Sequence, residues 1–210
     1  MNMQGANDAD NRGDRMGDGG AKAKPALGFL TVLDHPKHGL FGGYLVLNLV
    51  GRPIEFHCSA PVKPNRAQEI LYGPTLEGFL YGEQIGQALV SKAKVEPLTI
   101  FTDRKPAMAV REHIKPPVAL VVPPDTVETT PADSPSGNGR KFYRIDSAHD
   151  RGPKLLTFEI GPNRLAVSDR AQEDRRRIEQ RLSDIDPSLD LSEPFLRIRE
   201  AIEEAQQAAR

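Results

Sequence analysis

Apolar residues in the middle of the chain fall into short unbroken runs rather than into a helical rhythm. LGFLTVLD (Leu27 to Asp34) and FGGYLVLNLVG (Phe41 to Gly51) have the near-continuous hydrophobicity of strands covered on both faces. IEFHCSA (Ile54 to Ala60) instead alternates, which predicts a strand with Ile54, Phe56 and Cys58 inward and Glu55, His57 and Ser59 outward. The connections are short, and Gly51-Arg52-Pro53 has turn chemistry, so the three strands are expected to form an antiparallel meander.

Helical patterning begins at Pro64-Asn65. Asn65 is placed to cap, and Gln68 three residues on completes a capping box. Gly73-Pro74 interrupts that helix, and Leu76, Phe79, Leu80, Ile85, Ala88 and Leu89 carry a second segment to about Lys94. Gly78, Gly82 and Gly86 recur at intervals of four and line one face, which predicts close approach to another backbone. Glu83, Gln84 and Gln87 argue against reading that stripe as a membrane dimer motif. PLTIFTD (Pro97 to Asp103) and PVALVVP (Pro117 to Pro123) read as buried strands, with a proline-started helix from Pro106 to Ile114 between them. The fold class is therefore α/β: a mixed sheet with an N-terminal three-stranded meander followed by α-β-α-β, the later crossovers implying a parallel half.

Composition divides the chain around this core. Residues 1–26, rich in Gly, Asp, Asn and Lys, contain almost nothing to bury and read as a disordered tail. Residues 27–122 form the core domain, 123–140 a Pro/Thr/Ser/Gly linker, and 141–210 a C-terminal hairpin with amphipathic helices. The hairpin is expected between FYRID and LLTFEI around Arg151-Gly152-Pro153, and helices over 170–185 and 193–209. In the last of these Phe195, Ile198, Ile202, Ala205 and Ala209 form a narrow apolar stripe that must pack on this domain or on a partner.

With 28 Lys and Arg against 29 Asp and Glu, the formal charge is −1, so no global positive field draws the protein to nucleic acid or anionic lipid. Cys58 is the only cysteine, which excludes an intramolecular disulfide and a cysteine-built zinc site. No segment has the apolar length of a signal peptide core or a membrane helix, and the chain is expected in the cytoplasm.

Candidate chemistry gathers at strand ends. Asp34 closes the first strand, Glu69 lies in the first turn of the first helix, and Asp103 closes the fourth strand. Three antiparallel strands, helix, strand, helix, strand is an order similar to the core of the ribonuclease H-like superfamily. NRAQE around Glu69 resembles the helix-start word of bacterial ribonucleases H, and LTIFTD and the Gly42-Gly43-Tyr44 turn are similar to theirs. The block from Phe41 to Gly73 also resembles a bacterial family to which no activity is attached. In the ribonuclease H-like fold the first and fourth strands lie side by side in parallel, so acids at their carboxyl ends share one edge. The resemblance implies that Asp34, Glu69 and Asp103 hold two Mg²⁺ or Mn²⁺ ions for hydrolysis of a phosphodiester. Arg66, Arg104 and Lys105 would contact the phosphates of a nucleic acid.

Each acid also has a structural reading. Asp34 before His35-Pro36 opens a turn, Asp103 caps the next helix, and Glu69 stabilises a helix dipole. His35 and His38 with Asp34 would suit a transition metal, although histidines in a polar loop are usually solvated. His57 and Cys58 are strand neighbours pointing to opposite faces, which excludes a direct catalytic pair, and Cys58 is assigned to the core. The DRRRIEQR run reads as a solvated helix face. Two functions of different class follow. One is a metal-dependent nuclease or related phosphoryl-transfer enzyme acting on nucleic acid. The other is a non-catalytic interaction module, as on longin or roadblock-like scaffolds, that binds a protein or self-associates through residues 193–210.

Overall fold

The computed structural model describes residues 25–123, 154–183 and 189–208. The expected tail and linker, and FYRID, lie almost wholly outside these residues. Among the described residues seven strands form one mixed sheet in the order β3-β2-β1-β4-β5-β7-β6. The strands β1 (Ala26–His35), β2 (Gly39–Asn48) and β3 (Pro53–Cys58) make the antiparallel meander, while β4 (Thr99–Thr102) pairs in parallel with β1 and β5 (Val118–Val122) in parallel with β4. The first and fourth strands thus lie side by side in parallel, as expected. The hairpin of β6 (Leu155–Ile160) and β7 (Asn163–Ser168) then adds to β5, antiparallel through β7. Its turn is Gly161-Pro162, with Gly161 at φ +55°, a left-handed conformation that glycine adopts at little cost. A second strand in NRLAVS follows that turn and pairs with LLTFEI, while the hairpin expected between FYRID and LLTFEI lies outside the described residues.

Helices cover both faces of the sheet. One face carries a π-helix (Phe79–Gln87) and the turn α3 (Ala88–Val90), with a 3-10 helix (Lys105–Glu112) beside them; α1 (Arg66–Tyr72), which buries no residue, and the short turn α2 (Leu76–Gly78) lead into the π-helix. Asn65 caps α1 through the expected capping box: its side chain accepts from Gln68 N–H while the Gln68 side chain accepts from Asn65 N–H. The core on this side joins Leu30, Val32, Tyr44 and Val46 to Leu80, Ile85, Leu89 and Val110. The glycine stripe does what its spacing implies. A Cβ on Gly82 would sit 2.6 Å from Ala109 Cβ and 2.7 Å from Val110 N, so the π-helix and the 3-10 helix meet backbone to backbone.

The opposite face carries α4 (Gln172–Leu182) and α5 (Glu193–Ala208). Phe29, Leu45, Leu47 and Phe101 pack there against Ile178, Phe195, Ile198 and Ile202. Phe195, Ile198 and Ile202 of the α5 stripe are thus buried on this domain's own β1 and β2, whereas Ala205 is exposed.

β3 reverses its expected faces. Ile54 is 43% and Phe56 40% exposed, and Cys58 is exposed rather than in the core, whereas Glu55 and His57 are half-buried. Register explains this, because Glu55 pairs with Val46 and His57 with Tyr44, on the face covered by the π-helix and α3. There Glu55 accepts the N–H groups of Lys94 and Val95, so a polar side chain has partners where an apolar one would only have a rim. α5 packs over β1 and β2, and the outer face of β3 remains open.

Candidate functional site at the carboxyl edge of the sheet

The parallel pairing of β1 with β4 sets the geometry of the edge where ligands gather in such sheets. Leu27 pairs with Thr99 and Leu30 with Thr102, so the next step places Thr31, not Asp34, level with Asp103. Asp34 lies three residues farther along β1, about 10 Å at 3.3 Å per residue. Parity separates the two acids as well. Leu30 and Val32 face the π-helix, and Asp34 shares their parity; Phe101 faces α5, and Asp103 shares its parity.

Asp103 is closely engaged. Thr31 Oγ1, fully buried, donates to its Oδ1 at 2.5 Å, and Arg199 of α5 donates to its Oδ2. Arg104 Nε stands 4.0 Å from Oδ1. The carboxylate therefore fastens α5 to the end of β4 through a charge-assisted pair with both oxygens in use.

Asp34 is exposed on the other side. It belongs to the electrostatic neighbourhood of Tyr81, whose phenol is pushed up first by burial and then by Glu77 and Asp34, against the opposing pull of Arg104. Glu69 is elsewhere: it is exposed on α1, a helix with no buried residue, and bonds Arg66 at 2.9 Å. Arg66 is correspondingly engaged within its own helix, while Lys105 lines a groove beside the 3-10 helix. Asp34 and Asp103 thus stand on different faces of the sheet, and Glu69 is paired with Arg66 on α1. Among the described residues no group of three or more His, Cys, Asp or Glu side chains is placed to hold a metal ion. The residues as placed do not fit the two-ion centre that the resemblance implies.

The histidines of the β1–β2 turn are also accounted for. His35 Nδ1 accepts from Lys37 N–H at 3.1 Å and His38 N–H at 3.2 Å, so it closes the turn that Asp34 was expected to open.

Two features escape a reading by local words. Arg199 lies 96 residues from Asp103 and has only one sequence signal, its position next to Ile198 in the apolar stripe of α5. The other is a buried ion cluster that joins the two halves of the chain. Asp174, 2% exposed, accepts from Arg111 at 2.5 and 3.1 Å and from Arg177 at 3.4 Å. Arg111 also donates to the carbonyl of Ile114, so the 3-10 helix, the loop after it and α4 are fixed together. Beside this cluster opens a groove of about 1110 Å³ between Tyr72–Phe79, the 3-10 helix and the start of α4.

No family model and no curated protein matches the chain. Among solved structures it is similar to an endonuclease V from Ciona intestinalis in complex with a 23mer DNA containing an inosine followed by a ribo-adenosine. The identity is 12%, the match covers 88% of this chain and 87% of that one, and the TM-score is 0.40.

Proposed function

We propose that this chain is a non-catalytic protein-interaction module built on a ribonuclease H-like strand order. The observation that carries this reading is the state of Asp103. Its two oxygens accept from Thr31 and Arg199, so a metal there would have to displace a guanidinium and separate α5 from the sheet edge. Asp34 lies on the other face of the sheet, and among the described residues no group of three acids is gathered to share ions. A strand order, which many unrelated activities share, does not supply a missing ligand set.

The same strand order favours a second reading, in which Asp34, Glu69 and Asp103 bind Mg²⁺ or Mn²⁺ and Arg66, Arg104 and Lys105 hold the phosphates of a nucleic acid. One assay separates the two. The full chain and its Asp103→Asn variant are incubated with single- and double-stranded DNA and RNA in Mg²⁺ and in Mn²⁺. The module predicts the same background with both proteins and no Mn²⁺ uptake by calorimetry. Cleavage by the native chain that Asp103→Asn abolishes would establish the nuclease and overturn the module.

A further inference from the structure

We infer that the groove beside the 3-10 helix is a docking site for a cationic protein segment carrying an aromatic or aliphatic anchor. This rests on the interaction reading and gives it a location and a partner chemistry. The groove's volume of about 1110 Å³ stands at the upper end of the roughly 300–1000 Å³ of ordinary ligand pockets, room for several side chains.

Its charge is negative on balance. Among the described residues Arg111 and Arg177 share the single carboxylate of Asp174, so that cluster keeps one positive charge. Glu77, Glu83, Glu112, Asp169 and Glu173 remain on the lining, against Lys105, Arg170 and that one charge. The excess of carboxylates would repel a phosphate backbone and attract Lys or Arg. Asp169 is half-buried on this lining, so its charge is screened less than that of a fully exposed carboxylate.

The apolar half of the lining provides the anchor. Tyr72 and Phe79 stack with centroids 4.1 Å apart and an interplanar angle of 19°, and Met108 lies on the adjoining helix. A rigid aromatic pair can hold a guanidinium over its face or an apolar side chain against its edge, the kind of contact that dominates protein interfaces.

Fluorescence anisotropy on the full chain tests this, with three probes of equal length: a fluorescein-labelled peptide of interspersed Lys, Arg and Leu, its Glu-substituted counterpart, and a single-stranded DNA. The basic peptide should bind, and rising salt should weaken it. The double variant Glu77→Lys/Glu112→Lys changes two exposed side chains and should lower affinity at least tenfold while leaving the melting temperature unchanged. Asp169→Asn should lower it as well. Failure of the basic peptide to bind, equal binding of the acidic peptide or the DNA, or undiminished binding by the double variant would overturn the proposal. So would a concentration-dependent dimer in sedimentation that the double variant abolishes, because the occupant would then be a second copy. These outcomes leave the metal-dependent cleavage assay untouched, so the docking site can fail while the module reading stands.

Discussion

The two faces of the sheet share one packing device and differ in another. On one face the π-helix seats Ile85 over Gly42; on the other, α5 seats Ile198 over Gly43, and a Cβ at either glycine would collide with that isoleucine. Both faces bury an apolar core, but only the π-helix side adds a backbone approach between two helices, at Gly82 against Ala109 and Val110. The α5 side is filled by Phe29, Phe101, Phe195 and their aliphatic neighbours, where Phe29 meets Phe195 edge-on at 5.7 Å and Phe101 tilted at 5.4 Å. Large side chains can repack after a small change. A backbone contact between helices has nothing to move except a whole helix.

The largest expected effect follows from that contrast. Gly82→Ala would improve local helix propensity by about 1 kcal/mol, yet its Cβ would lie 2.7 Å from the backbone of Ala109 and Val110. Separating two helices to admit it should cost about 3 kcal/mol net, a fall in melting temperature on the order of 8 °C for a chain of this size. Ile198→Val on the other face should cost about 1 kcal/mol. Equal losses from the two substitutions in thermal melts would erase the distinction between the faces.

A smaller effect concerns the tie between α5 and the sheet edge. Arg199→Met retains most of the side chain's apolar length but leaves Asp103, with its side chain 15% exposed, without its guanidinium. About 2 kcal/mol of destabilisation is expected, and much of it should be recovered in Arg199→Met/Asp103→Asn, where neither charge is stranded. Additive losses in that cycle would show that the pair contributes nothing beyond its separate members. If Arg199→Met instead gained Mn²⁺ affinity, the nuclease reading would return, because removal of the cation would have uncovered a metal ligand.

The sequence made the sheet legible and the site much less so, for one physical reason. Runs such as LGFLTVLD and LTIFTD mark their own strands, and the order of elements carries the crossovers, so the placement of β1 beside β4 follows from local signals. The offset between those strands does not. It is fixed by pairing Leu27 with Thr99, a contact across the chain, and a shift of one residue would exchange the faces of every side chain. Asp34 and Asp103 both stand at strand ends, as their positions implied, but on different faces. β3 differs from expectation for a related reason: its alternation is local, and its burial depends on which neighbouring helix extends over it. The apolar stripe of α5 is visible as a stripe, while only tertiary packing shows that this sheet occupies its Phe195, Ile198 and Ile202.

The smallest effect tests that reversed strand by pH. His57 Nε2 lies 3.0 Å from Glu55 Oε2, and this contact first, then the N–H groups of Lys94 and Val95, hold the Glu55 carboxyl below its ordinary value of 4.5. A carboxyl whose folded pKa is depressed stabilises the fold above its unfolded pKa, and that contribution disappears as the pH falls through the folded value. Glu55→Gln keeps the shape and removes the charge. Because the site is at the sheet edge and partly solvated, the expected cost at neutral pH is about 1 kcal/mol. The gap between native and variant in urea unfolding should be constant above about pH 5 and should close as the pH drops below 4.5. A gap that persists unchanged into acid would mean that the amide's geometry, not the lost charge, causes it. Glu55 would then be a neutral acceptor for the loop at Lys94. Closure of the gap would identify an ionised side chain as what turns the polar face of β3 toward the helices and leaves Ile54 and Phe56 in solvent.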